Sequence, residues 1–190
     1  MKNLFTLFLL FTAFFGFSQE NAATQDAKWT IGFGTNVIDN TSKFNREFLN
    51  SSEHWNFISA LSVFSVEKSF SENLSVSTTL ALNIISSSKL QNGQTIAKDA
   101  NYYGLDINGK LFFDDYIVSQ SIIDSYIVFG TGINSVNEVT NQTGNLGYGL
   151  NFWFKPNLGL RLQTLAKFGF EDNTLLNNHL QHSAELVLKF

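Results

Sequence analysis

The side chains of this sequence that could do chemistry are few. His179 and His182 stand three residues apart, a spacing that on a helix would bring two imidazoles to one side, as a zinc ion requires. On an extended strand the same spacing puts them on opposite faces, where they cannot share an ion, so they are expected to be structural or interfacial polar residues. His54 stands far from both. Asp114-Asp115 offers too few oxygens for calcium, which takes roughly 6–8 ligands, and a solvated turn accounts for the pair. Gly130-Thr131-Gly132 and Gly147-Tyr148-Gly149 are not followed by the helical pattern that a phosphate-binding loop needs. No Ser, His and Asp stand in a recognisable catalytic context, so neither an enzyme nor a bound cofactor or metal is expected. What remains is a set of ions with mixed signs: Glu67, Asp106, Lys110, Arg161, Lys167, Glu185 and Lys189.

The elements carrying these ions alternate with a period of two. From Leu158 to Phe170 the even positions are Leu158, Leu160, Leu162, Thr164, Ala166, Phe168 and Phe170, against Gly159, Arg161, Gln163, Leu165, Lys167 and Gly169. One apolar and one polar face at this period predict a strand; a helix would mix them. The same alternation recurs around Trp29–Val37, Leu74–Ile84, Tyr103–Phe113, Ile127–Asn134, Leu146–Lys155 and Leu180–Phe190. A further strand near Phe57–Lys68 is apolar on both faces; Phe64 and Val66 are expected outward, with Ser65 and Glu67 inward. The total is eight, an even number, and the fold class is all-β: an eight-stranded antiparallel up-and-down transmembrane barrel.

Composition agrees. Charged residues are 15% of the chain, against about 25% in an ordinary soluble domain, while Phe occurs 20 times and Cys not at all. A net charge of −4 argues against a nucleic-acid partner. Lys2 followed by the apolar run Leu4–Phe11 and the small polar end Gly16-Phe17-Ser18 has the form of a secretory signal peptide. The expected organisation is a signal peptide over residues 1–18, a short periplasmic segment over 19–27 and the barrel over 28–190. After Ser18 no apolar run is long enough for a membrane helix, so a membrane location requires a barrel.

Connections alternate in length. Ile38–His54 and Ser86–Ala100 are long, Ser69–Asn73 is short and Lys155-Pro156-Asn157 is the tightest. Asp114–Ile123 is long for its class and carries an amphipathic mix that would rest on a membrane surface. Long loops at one end and short turns at the other put both mature termini in the periplasm. A soluble lipocalin-like barrel would instead turn its apolar face inward around a greasy ligand. Small polar residues on the polar faces, aromatics near strand ends (Trp29, Tyr103, Phe113, Tyr148, Phe154, Phe168, Phe170, Phe190) and the scarcity of charge favour the inverted arrangement. The mixed charges then point inward. They form either a paired network filling the lumen or a gate that opens when the ions re-pair.

The segment Asn178-His179-Leu180-Gln181-His182-Ser183-Ala184-Glu185-Leu186-Val187-Leu188-Lys189-Phe190 resembles the last strand of OmpA-like outer-membrane barrel domains of Bacteroidota. Trp29-Thr30-Ile31-Gly32, Ser125-Tyr126-Ile127-Val128-Phe129-Gly130-Thr131-Gly132 and Gly149-Leu150-Asn151-Phe152-Trp153-Phe154-Lys155 share the resemblance. It implies a cell outer-membrane location in a Gram-negative bacterium. It also implies an assembly signal in Leu186, Leu188 and Phe190, read by the barrel-assembly machinery. His182 departs from the pattern, since that face is usually more apolar. Larger members continue into a peptidoglycan-gripping domain; the resemblance here covers the barrel alone.

The expected function is a non-enzymatic structural or surface-interaction role, carried by extracellular loops on a rigid scaffold. Lys43, Phe44, Arg46 and Phe48 are the candidate loop contacts, with a protein or a surface polymer as partner besides the membrane lipids. The alternatives are a narrow porin or gated channel, and an accessory subunit of a secretion or assembly machine.

Overall fold

A computed structural model describes residues 28–40, 54–58, 60–91, 95–113, 122–171, 175 and 178–190. The described strands are β1 (Trp29–Asp39), β2 (Trp55–Phe57), β3 (Val63–Ser69), β4 (Leu74–Ile85), β5 (Ala100–Phe112), β6 (Ile123–Val136), β7 (Val139–Lys155), β8 (Leu158–Gly169) and β9 (His179–Lys189). Each pairs antiparallel with its neighbour, and β9 returns to β1 from Thr30↔Lys189 to Asp39↔Leu180. Reciprocal backbone bonds between Trp29 and Phe190, 2.9 and 2.8 Å, finish the seam. The result is a closed eight-stranded antiparallel barrel, because β2 and β3 together occupy one position in the wall.

That shared position departs from the single strand expected over Phe57–Lys68. β1 pairs with β3 from Trp29↔Lys68 to Gly34↔Val63, and with β2 from Val37↔Phe57 to Asp39↔Trp55. Between Phe57 and Val63 the chain therefore has five residues where β1 has only Thr35 and Asn36, so a single register cannot hold and the pairing is interrupted. Side chains complete the bonding that the ladder loses. Asn36 Nδ2 donates to the carbonyls of Ser62 (2.8 Å) and Leu82 (2.9 Å), and its backbone N–H donates to Ser62 Oγ (2.9 Å). Asn83 Nδ2 donates to Asn36 Oδ1 at 2.7 Å, and Asn56 Oδ1 accepts the Ser86 N–H at 2.8 Å. For this buried asparagine patch the period of two predicts only that Asn36 and Asn83 face inward; their partners follow from the change of register.

Two connections lie at opposite ends of the wall. At the end carrying both described termini, Pro156 and Asn157 turn β7 into β8. At the other end Asn137 and Glu138 turn β6 into β7, both with left-handed backbone (φ 48° and 70°). Positive φ at both central residues matches the right-handed twist of a two-residue hairpin. The Pro156 turn is thus not uniquely tight: the long-loop end also holds a two-residue turn, at the tip of an extended hairpin. Its consequence is that β7 begins at Val139, so Tyr148, expected near a strand end, sits midway along the wall opposite Ile127 and Thr164.

The period of two survives throughout. On β5, Tyr103, Leu105, Ile107 and Leu111 are exposed while Tyr102, Asp106, Asn108 and Lys110 are buried. Phe64 faces outward and Ser65 and Glu67 inward, as the sequence predicts. The barrel is therefore inverted relative to a soluble protein, with an apolar outer wall and a polar lumen.

Candidate functional site in the barrel lumen

Six of the seven ions singled out from sequence are buried in the lumen: Glu67, Asp106, Lys110, Arg161, Lys167 and Glu185, each 3% exposed or less. Nearer the turn end, Glu67 Oε2 binds Lys110 Nζ at 2.6 Å and Arg161 Nη2 at 2.7 Å. Its other oxygen accepts from Ser75 Oγ at 2.9 Å. Arg161 Nε donates to Asn151 Oδ1 at 3.0 Å, and Nη1 reaches Ser65 Oγ at 3.5 Å. That serine donates to Glu185, which also accepts from Ser183 Oγ at 3.3 Å. Two carboxylates (Glu67, Glu185) and two cations (Lys110, Arg161) make this layer neutral. β3, β5 and β8 are not neighbours, so these bonds run across the lumen and not along the wall.

A second layer lies towards the loop end. Lys167 Nζ binds Asp106 Oδ2 at 2.7 Å and donates to Asn134 Oδ1 at 3.0 Å. Asn145 Nδ2 donates to Asp106 Oδ1 at 2.9 Å. Tyr102, fully buried, donates its hydroxyl to Asn134 Oδ1 at 2.6 Å and stands 3.2 Å from His179 Nε2. This layer too is neutral, with one carboxylate and one ammonium. Beside the first layer Val128 and Leu165 pack with the ring of Tyr126, over which Lys110 Nζ sits at 4.9 Å. Towards the loop end an apolar group packs with Tyr102: Ile38, Ala81, Ile85, Ala100 and Val136, with Ile96 and Leu175 against it. Burying ions is tolerable because each meets an opposite charge or several hydrogen-bonding groups.

Tyr102 and Tyr126 are lumen residues that sequence reasoning missed. The signal was parity: each shares the inward register of its strand, one residue before the alternation was read to begin. Gly149 stands opposite Tyr126, and a methyl group there would collide with the phenol ring, so the glycine makes the room the tyrosine fills. Tyr126 then donates to Gln163 Oε1 at 3.1 Å.

Lys189 does not join either layer. It is half-buried at the turn end, with Nζ 5.3 Å from the ring centre of Trp153. The two histidines do fall on opposite faces. His179 points into the lumen, whereas His182 lies on the outer wall, its Nδ1 2.9 Å from Thr164 Oγ1 and its ring 5.4 Å from that of Trp55. His54 is buried beside β2. Leu186, Leu188 and Phe190 are exposed on the outer wall. The loop residues Lys43, Phe44, Arg46 and Phe48, the segments 1–18 and 19–27, and residues 114–121 of the amphipathic connection lie outside the described residues. Among the described residues no group of three or more His, Asp or Glu is placed to hold a metal ion.

No family model matches the chain, and no curated protein matches it in sequence. Solved structures match it in fold. A major outer membrane protein from Thermus thermophilus superposes with a TM-score of 0.58 at 10% identity, over 87% of this chain and 100% of that one. Neisserial surface protein A matches with a TM-score of 0.55 at 14% identity, over 86% of this chain and 97% of that one. The N-terminal β-barrel domain of Pseudomonas aeruginosa OprF matches equally, 0.55 at 9% identity, over the same shares. At these identities the likeness is one of fold: the eight-stranded barrel of outer-membrane proteins.

Proposed function

We propose that the chain is a non-enzymatic outer-membrane barrel that works as a closed scaffold, with recognition carried by its loop end. One observation carries this reading: Arg161, Glu67 and Lys110 join three non-adjacent strands across the lumen. An eight-stranded barrel has an interior just wide enough for side chains, and here ions and amides fill it. An apolar outer wall around such a polar interior suits lipid, not water. Residues 1–18 serve as the export signal, both termini of the exported chain face the periplasm, and Leu186, Leu188 and Phe190 present the assembly signal. The long connections, including Lys43, Phe44, Arg46 and Phe48, then meet the outside and contact a protein or surface polymer.

A gated channel is the second reading, favoured by one contact. Glu185 is one hydroxyl group away from the Arg161 guanidinium, through Ser65, so the arginine has a second carboxylate within reach. Refolding the protein into a planar bilayer separates the two, after a heat-dependent mobility shift on a detergent gel has established insertion. The scaffold shows no current above lipid background, and an Arg161→Gln variant stays silent. A steady conductance in the unaltered protein, altered by Arg161→Gln and Glu185→Gln, would instead make the lumen a pathway.

A further inference from the structure

The turn end of the barrel carries a feature the lumen does not explain. Ile122, Asp124, Trp153, Phe154, Lys155, Pro156 and Lys189 line a cleft of about 430 Å³ that straddles the rim. Trp153, Asp124 and Lys189 share the inward register of their strands, and Ile122, exposed (70%) just before β6 and bonded through its carbonyl to the Trp153 N–H, continues that register at the rim; Phe154 stands exposed (63%) where the outer wall begins. The one carboxylate in the cleft is engaged: Asp124 Oδ2 accepts the Trp153 indole N–H at 2.5 Å. The two ammonium groups are not. Among the described residues neither Lys155 nor Lys189 meets a carboxylate, and Lys189 is held over the Trp153 ring. A few strands away Lys68 repeats the device, its Nζ 5.3 Å from the Trp29 ring centre and 5.6 Å from that of Phe70. Cations resting on aromatic faces at one end of the barrel form a positive collar, with apolar side chains directly beside it.

We infer that this rim cleft binds an acidic phospholipid of the leaflet around the turn end. Its phosphate would sit between Lys155 and Lys189, and its glycerol and acyl chain would descend the wall past Phe154. The inference rests on the membrane reading above. The occupant follows from the chemistry: two unpaired cations call for an anion, and a continuous apolar surface leading from them into the lipid-facing wall calls for an anion with a hydrocarbon tail. A soluble anion would leave Phe154 uncovered, and a neutral lipid would leave the two ammonium groups without a partner. Lysines near a membrane surface contribute enough attraction each that a pair is worth at least about tenfold in preference.

The test uses the full chain refolded into phosphatidylcholine bilayers, with Trp29→Phe and Trp55→Phe leaving Trp153 as the lone reporter of the three tryptophans. Bilayers carry a minor fraction of either brominated phosphatidylglycerol or brominated phosphatidylcholine, and quenching of Trp153 gives the relative occupancy. Phosphatidylglycerol is expected to quench about tenfold more effectively at low salt, and Lys155→Gln with Lys189→Gln to bring the ratio to about one. Lys89→Gln with Lys98→Gln, at the other end, should leave it unchanged. Equal quenching by both lipids overturns the inference while leaving insertion intact; no quenching by either would mean that the membrane reading itself has failed. A soluble acidic peptide that abolishes the preference at micromolar concentration would make the cleft a peptide site and overturn the lipid assignment. If the double lysine variant does not refold, the salt series in the reporter protein decides: a preference unchanged between about 0.05 and 0.5 M salt overturns the inference, and one that collapses sustains it.

Discussion

Glu67 is the residue on which the lower lumen turns. It holds Lys110 and Arg161 at once, and among the described residues no other carboxylate in that layer pairs with both. Replacing it with Gln leaves two buried cations facing the single carboxylate Glu185, a change expected to cost about 3–5 kcal/mol. Adding Lys110→Met restores the balance, one arginine against Glu185, and should recover a large part of that loss. Urea unfolding of the barrel in lipid vesicles measures both; a double variant no more stable than Glu67→Gln would show that charge balance is not what the layer provides. The inward placement of these ions was legible from the sequence, because a strand's parity alone decides which face a side chain takes. Their partners were not. Arg161 and Glu67 are 94 residues apart and Lys167 and Asp106 are 61 apart, and only the barrel's curvature brings them together. Lys189 shows the limit of parity: its face is right, but its height puts it on the rim, where Trp153 takes it.

At the scale of elements, the β6–β7 hairpin carries the clearest strain. Asn137 tolerates left-handed backbone, but Glu138, at φ 70°, is a residue type that rarely adopts it. Glu138→Gly relieves that cost at the price of some chain entropy, so a net gain of about 0.5–1 kcal/mol is expected, read as a higher urea midpoint. A loss on substitution would mean that the Glu138 side chain makes a compensating contact. The sequence hid this hairpin because residues 139–145 (Val-Thr-Asn-Gln-Thr-Gly-Asn) are polar on nearly every position, so the alternation that marks the other strands fades. The interruption between β2 and β3 was hidden for the opposite reason. With apolar residues on both faces of 57–68, extra residues leave no mark in the pattern, and only the partners in β1 reveal the change of register.

For the whole molecule, the scarcity of charge and the run of exposed aliphatic side chains have one explanation, an outer wall that prefers hydrocarbon. Ile107, 53% exposed midway along β5, and Val139, 44% exposed at the hairpin tip, test it by depth. Ile107→Arg should destabilise the inserted barrel by about 2–4 kcal/mol and Val139→Arg by only about 0–1, again by unfolding in vesicles. Similar costs at the two positions would remove the membrane gradient from the account. This global property was the most legible of all, since it needs only composition and period, whereas the asparagine patch and the rim cleft depend on which strands become neighbours.

The seam between β1 and β9 also sets a schedule. Thr30 finds Lys189, and Trp29 finds Phe190, only when the two extremes of the described chain meet, so every intermediate before that event carries two bare strand edges. Contacts so distant in sequence form late and slowly. A chain halted anywhere short of β9 is therefore left open along its whole length, sticky to other strands and exposed to proteases, and the time spent in that state, more than the strength of the finished wall, governs how much of the protein reaches its folded form.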